Sequence, residues 1–404
     1  MKICILRETK KPVDARVPLT PGQCRVVEEK FHDMKIVVQP STVRCFKDEA
    51  YIREGIKVTE DISDCDIFIG VKEVAPQTLI EGKTYLFFSH TIKKQEHNRN
   101  LLKTVLDKKI TLIDYELLTD ANGIRIIGFG RWAGLVGSYL GIRAYCMRYH
   151  LQPMPQVSDF ASFAEMTAFA RTYKLPSMKV VITGDGRVGK GVVEMMDYFR
   201  IRRVDTEKFL NESFKHPVYT QLSPGEYNKR KFGEFYLMHF FSNPHDYEGD
   251  FEKYTRVSDV LIASAYWDPR SPVLFTLQEM NQRDFKIRVI ADISCDLNGS
   301  IPTTIRTSTF DEPYYDVELS TAQIQPAFSG DSNVTVMAID NLPCGLPAEA
   351  SADFGQALIR NIFPLFADGD QAGILQRATI AREGRLNPPY AYLDKWINTT
   401  DQSA

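Results

Sequence analysis

The stretch Met178–Phe199, MKVVITGDGRVGKGVVEMMDYF, reads as a strand, a turn of glycines and a helix in immediate succession. Gly184-Asp185-Gly186-Arg187-Val188-Gly189 fits G-x-G-x-x-G, and it follows the strand-like Val180–Thr183 and opens the helix, the setting that gives the pattern a physical meaning. The first glycine permits a tight turn, the second lets backbone approach a pyrophosphate, and the third lets helix and strand come close. Unpaired N–H groups at the helix start then face the anion. Gly184, Gly186, Arg187, Val188 and Gly189 are therefore expected to hold a dinucleotide. The bland alternative is a glycine turn with no ligand.

In such units an acid about 20 residues further on accepts from the ribose 2′-hydroxyl, which points to Asp205 and to NAD. Arg202 and Arg203 stand just before it and suit a 2′-phosphate, so NAD and NADP both stay open. Asp205 as a solvated loop acid is the plain alternative.

Outward from this unit, further strands are expected at SDVLIASAYW and IRVIADIS, and before it at KICILRE, MKIVVQP, CDIFIGVKE, TYLFFSH, ITLIDYELL and IRIIGFG. Helical patterns alternate with them. TPGQCRVVEEKFH is opened by Thr20 as N-cap with Pro21 at the first helical position, and KKQEHNRNLLKTVLDKK is a second helix. Such alternation builds mostly parallel sheets covered by helices, so the expected fold is α/β with two parallel-sheet domains. WAGLVGSYLGIRAYCMRYH is too long for a strand and reads as a helix linking the domains. The segment ADFGQALIRNIFPLFADG reads as another long helix, after which too few strands remain for a domain. The expected division is residues 1–133 completed by 347–404, and residues 134–346 as the dinucleotide-binding domain. The polar and aromatic segment at about 207–254 shows weak periodicity and takes no assignment.

Composition narrows the function classes. The chain has 404 residues, 44% hydrophobic and 25% charged, with a net charge of −3 and interspersed acids and bases. That is ordinary globular composition, with no basic face for nucleic acid or membrane. No apolar run approaches the ~20 residues that span a bilayer, and the N-terminal run is too short for a signal peptide. The seven cysteines are scattered, without C-x-x-C or zinc spacing, so no metal is indicated and a reducing cytoplasm is the expected location. Small-molecule chemistry is the default.

Lys72, His90 and Glu116 all stand at the carboxyl ends of expected strands, where open parallel sheets bind ligands. The plain alternatives are a structural hydrogen-bonding histidine and a solvated lysine. Together they form a set able to move protons to and from an amine, since burial and neighbouring carboxylates tune a lysine and histidine is a near-neutral acid–base residue. Arg16 and Arg125 are candidates for substrate carboxylates, which the guanidinium fork suits.

These residues lie in motifs that resemble the family of saccharopine dehydrogenase (lysine-forming) and lysine–2-oxoglutarate reductase: RETKKPVDARVPLTP, IGVKE, KTYLFFSHTIKKQE, LIDYELL, GFGRWAG, ADISCDLNGSIP and IDNLPCGLPAEAS. The wider superfamily includes alanine dehydrogenase and transhydrogenase subunits. The resemblance implies two Rossmann-like domains flanking a cleft, the first discontinuous, and an enzyme that interconverts saccharopine with L-lysine and 2-oxoglutarate through an imine, using NAD or NADP. It implies Lys72 as acid–base group for the substrate nitrogen and His90 for the carbonyl and water steps, with Glu73 and Glu116 modulating their charge. Arg16 and Arg125 would hold substrate carboxylates, Asp340 would edge the site, and Ala265, Tyr266 and Asp292 would line the nicotinamide side. The chain ends without the second half of the bifunctional animal enzyme, so the resemblance implies that it acts alone or passes saccharopine to a separate saccharopine dehydrogenase (glutamate-forming). Two rivals are an alanine-dehydrogenase-like enzyme using ammonia and a small oxo acid, and a non-catalytic NAD(P)-binding regulatory protein.

Overall fold

The computed structural model describes residues 1–398. Residues 399–404 of the expected return segment lie outside them. The chain forms two compact units, Met1–Phe129 together with the segment from Pro347 onward, and Gly130–Leu346.

The first unit opens with β1 (Lys2–Ile5), β2 (Lys35–Val38), β3 (Lys57–Val58), β4 (Ile67–Ile69), β5 (Thr84–Phe87) and β6 (Thr111–Asp114). All six pair in parallel. Their apolar runs suit this, because a parallel sheet is covered on both faces. Helix Pro21–Lys30 begins as the sequence predicts: Thr20 accepts from the Gln23 backbone, the Gln23 side chain returns the bond, and Pro21 takes the first position.

The second unit holds β7 (Lys179–Thr183), β8 (Arg202–Arg203), β9 (Val218–Leu222), the hairpin β10 (Asn228–Arg230) and β11 (Tyr247–Gly249), then β12 (Val260–Ala263), β13 (Val289–Asp292), β14 (Tyr315–Glu318), β15 (Gln323–Gln325) and β16 (Val334–Met337). The chain then returns to the first unit with β17 (Thr379–Arg382) and β18 (Arg385–Leu386). The two sheets have eight strands each, in the orders β18-β17-β6-β5-β4-β1-β2-β3 and β15-β14-β16-β13-β12-β7-β9-β8. Antiparallel pairing is confined to the β17–β18 edge of one and the β14–β15 edge of the other. The expected α/β class with mostly parallel sheets is what the structure has.

Three expectations are corrected. IRIIGFG forms no strand: only an isolated bridge joins Arg125 to Thr119, because the place beside β6 is taken by β17. Ile127 and Phe129 are buried all the same, Phe129 by stacking on Phe354 with centroids 4.5 Å apart, while Ile124 is exposed. The second predicted helix starts late, at Arg99, after two short 3₁₀ turns. The small-residue helix, Gly130–Arg148, is no linker but belongs wholly to the second unit, so the boundary falls before Gly130 rather than after Ala133. It lies hard against helix Arg187–Tyr198: a Cβ on Gly134 would stand 2.1 Å from the Val188 carbonyl oxygen, and one on Gly191 2.1 Å from that of Arg131. Only glycine permits that approach.

The second unit's core gathers Val181, Leu222, Leu261, Ile290 and Val336 from its sheet with Phe209, Phe251 and Phe275 from the connecting segments. The unassigned 207–254 region thus supplies β9, the hairpin and much of the aromatic core.

Candidate functional site

In the first unit the polar residues gather where β1, β4, β5 and β6 end. β4 stops at Ile69 and delivers Lys72 and Glu73; β5 stops at Phe87 and delivers His90; β6 stops at Asp114 and delivers Glu116. The structure joins two of them directly: His90 Nδ1 lies 2.5 Å from Glu73 Oε1. Lys10 grips the same carboxylate, its Nζ 2.9 and 2.8 Å from the two oxygens. Burial alone would raise the Glu73 carboxyl, but the His90 hydrogen bond and charge and the Lys10 ammonium outweigh it and hold Glu73 well below the usual carboxylate range. An ionised carboxylate only accepts, so Nδ1 carries a proton, and in the neutral imidazole Nε2 is the acceptor. His90 adopts a left-handed conformation, φ 51°, uncommon for a side-chain-bearing residue and concentrated at functional sites.

Around this pair, Asp114 is buried and accepts from the Ser89 backbone (3.0 Å) and from the Ser89 hydroxyl, fixing the residue before His90. Glu116 pairs with Lys93 at 3.3 Å and Arg125 at 3.2 Å; burial raises its carboxyl, and those cations together with His90 pull it below its ordinary value. Glu8, just past β1, accepts from the backbone N–H of Val71 (2.6 Å) and Lys72 (2.9 Å). It thereby fixes the turn that carries Lys72. Burial pushes its carboxyl up to about 8, against the pull of those N–H groups.

The arginines are placed differently. Arg16 is buried, bound through Nε (3.0 Å) and Nη2 (2.5 Å) to the equally buried Asp14, with its guanidinium 4.1 Å over the Phe129 ring. Arg125 is half-exposed and bonded to the Glu116 carbonyl and carboxylate.

In the second unit the glycine turn sits at the carboxyl end of β7. Gly184 has φ 95°, and a Cβ there would stand 2.8 Å from Ala265 N. A Cβ on Gly189 would meet the Gly184 carbonyl at 2.2 Å. A Cβ on Gly186 would meet nothing within 4 Å, an open cradle at the N-terminus of helix Arg187–Tyr198. The three glycines thus divide their work as a dinucleotide turn requires. Beside them lies a cavity of about 390 Å³ lined by Gly184, Gly186, Arg187 and Val188, by Ala265, Tyr266 and Trp267 beyond β12, and by Tyr227 and Phe241. Aromatic walls beside a helix N-terminus fit an adenine nucleotide, the flat base on the rings and the anion at the helix start.

Of the expected cofactor residues, the structure brings Gly184, Gly186, Arg187, Val188, Ala265 and Tyr266 to that cavity. Gly189 serves packing. Asp205 does not reach it: it is exposed on the far edge of the sheet, capping helix Thr206–Asn211 through the Lys208 N–H (2.9 Å). Asp292 is buried and ties the turn after β13, accepting from Ser294, Cys295 and Thr304. Asp340 is exposed just beyond β16. Sequence reading missed Glu8, Lys10, Asp114, Tyr227 and Phe241. The strand-end rule, applied to β1 as it was to β4 and β5, would have found the first two. Tyr227 and Phe241 lie in the segment without periodicity and carried no signal.

This geometry defines a class: a two-unit α/β protein with a dinucleotide turn in one unit and a carboxylate–histidine–lysine set at the strand ends of the other. A solved structure of L-alanine dehydrogenase has the same fold (TM-score 0.64, 16% identity, covering 98% of this chain and 100% of that one), as does a transhydrogenase from Sinorhizobium meliloti (TM-score 0.62, 13% identity, 96% and 100%). Residues 4–136 match the family described as alanine dehydrogenase/PNT, N-terminal domain.

The particular likeness is closer in sequence. The chain is 30% identical to mitochondrial alpha-aminoadipic semialdehyde synthase of Mus musculus, over 97% of its own length and 47% of that protein. It is 27% identical to saccharopine dehydrogenase [NAD(+), L-lysine-forming] of Schizosaccharomyces pombe, over 92% of its own length and 95% of that protein. The resemblance read from the motifs is borne out. The chain spans about half the length of the mammalian and plant relatives that it matches.

Proposed function

We propose that this chain is an NAD-linked oxidoreductase acting on the secondary amine of saccharopine, interconverting it with L-lysine and 2-oxoglutarate. The reading is supported by the fungal relatives named for that reaction, which it matches over nearly their whole length. The observation that carries it is the Lys10–Glu73–His90 set beside Lys72 at the strand ends.

In the direction of lysine formation, the nicotinamide cofactor supplies the hydride acceptor when bound. Lys72 takes the proton that the secondary amine must lose for the imine to form. His90, with Nε2 open and Nδ1 held by Glu73, takes a proton from the water that adds to the imine carbon. The resulting carbinolamine collapses once His90 has passed that first proton to solvent: Lys72 returns its proton to the departing nitrogen, the hydroxyl proton leaves to His90 and goes on to the freed amine, and lysine and 2-oxoglutarate separate. One saccharopine, one NAD and one water give lysine, 2-oxoglutarate, reduced cofactor and one proton. Glu73 stabilises the imidazolium formed on the way. Substrate carboxylates call for cations, and Arg125 and Lys93 are the half-exposed ones at this edge.

The test is an initial-rate assay following reduced nicotinamide with lysine and 2-oxoglutarate, against NADH and NADPH in parallel. Oxidation of NADH is the expected result. Turnover of pyruvate with ammonium and not with lysine would instead favour the amino-acid dehydrogenase that the fold also accommodates, and nucleotide binding without any turnover a regulatory protein.

A further inference from the structure

We propose that the adenosine ribose of the dinucleotide is read by Glu226, held by Ser223 at the end of β9, and not by Asp205. This rests on the nucleotide-binding reading above and names the residue that sets its cofactor choice. The strand order carries it. The rule that places an acid after the strand following the glycine turn assumes that this strand lies next to β7. Here β9 lies next to β7 and β8 lies outside it.

Register sharpens the point. Thr183 is level with Leu222, and Gly184 N donates to the Leu222 carbonyl at 3.0 Å, so Ser223 begins beside the glycine turn, one strand spacing of about 4.8 Å away. Gln221 Nε2 closes the junction on the Gly184 carbonyl at 3.0 Å. On β8, Arg203 is level with Tyr219, and Tyr219 with Val180. Asp205 therefore lies two spacings out, about 10 Å, and at a lower level of the sheet. Its carboxylate is spent on the Lys208 N–H and ammonium.

At the place beside the turn stands a serine, but its hydroxyl (2.9 Å) and N–H (2.7 Å) both donate to Glu226 Oε2. A carboxylate is thus brought back to the strand end from three residues downstream. Its other oxygen, Oε1, makes no hydrogen bond or ion pair among the described residues. The rest of the turn faces the cavity through Pro224, Tyr227 and Asn228. A 2′-phosphate would meet this anion: Lys229, three residues on, is paired with Glu248 at 3.2 Å, and the cavity's arginine, Arg187, lies in the glycine turn where the pyrophosphate belongs. A ribose diol meets an acceptor. Asp185, the acid that lines the cavity, is within the glycine turn itself, while Pro224, Tyr227 and Asn228 on either side of Glu226 form part of its wall.

The test measures dissociation constants of NADH and NADPH on the full chain by calorimetry, independent of turnover. The wild type should favour NADH by about tenfold or more, and Glu226→Gln, which keeps the bond from Ser223 N–H, should weaken NADH and tighten NADPH until the preference falls to about unity. Asp205→Asn and Asp185→Asn should each leave the preference within about twofold. An unchanged preference in Glu226→Gln, or its collapse in either aspartate variant, overturns the assignment. Binding of neither nucleotide would overturn the functional reading as well, which distinguishes the two failures.

Discussion

His90 shows how one side chain's setting becomes a chemical role. Its backbone is held in a left-handed turn, its Nδ1 is committed to Glu73, and Lys10 keeps that carboxylate ionised. Replacing His90 by alanine or Lys72 by methionine is expected to lower kcat by ~10²-fold or more, the scale of losing a general acid or base. Glu73→Gln should cost about tenfold or more, because it can still orient the ring but no longer stabilises the imidazolium. Steady-state kinetics on purified variants decide both, and unchanged kcat in all of them would return His90 to a structural role. Arg16 is expected to act on stability. Arg16→Ala would strand the buried Asp14 carboxylate, a loss of roughly 3–5 kcal/mol, read as a lower denaturation midpoint. A raised KM with unchanged midpoint would place it at the substrate instead.

The glycine turn and the strand-end turns are the elements that make these positions. A Cβ on Gly186 enters open space at φ −73°, whereas one on Gly189 collides with the Gly184 carbonyl. Gly186→Ala should therefore fold normally and weaken NADH binding by about tenfold or more, while Gly189→Ala should damage the fold itself. Circular dichroism together with nucleotide titration separates the two. Glu8 makes the turn after β4 sensitive to pH. Its folded-state carboxyl is raised from the ordinary 4.5 to about 8, so its contribution is fully present below 4.5 and is lost as pH rises through about 8. Midpoints of denaturation should fall across that window and do so less steeply in Glu8→Gln. An identical slope in the variant would remove Glu8 from the account.

At the scale of the whole molecule, the two units differ in how the chain builds them. Gly130–Leu346 is continuous and carries its own sheet and core. Expressed alone, it is expected to fold cooperatively and bind NADH, with sedimentation and calorimetry as the check. Residues 1–129 alone should not fold, since they would lack β17 against β6 and the Phe354 ring against Phe129. A native-like spectrum from that fragment would contradict this.

The α/β class, the glycine turn and the strand-end placement of Lys72, His90 and Glu116 were legible in the sequence. Each is a local matter: short apolar runs, one turn with three glycines, and polar residues a few positions past a strand. What lay beyond it were contacts between distant segments. No local pattern announces that β17 takes the place of IRIIGFG beside β6, or that Lys10 meets Glu73 across 63 positions. The order of strands is of the same kind. Sequence spacing alone pointed to Asp205, and only the insertion of β9 between β7 and β8 puts Ser223 rather than Asp205 beside the glycine turn, because pairing depends on which strand buries best beside which.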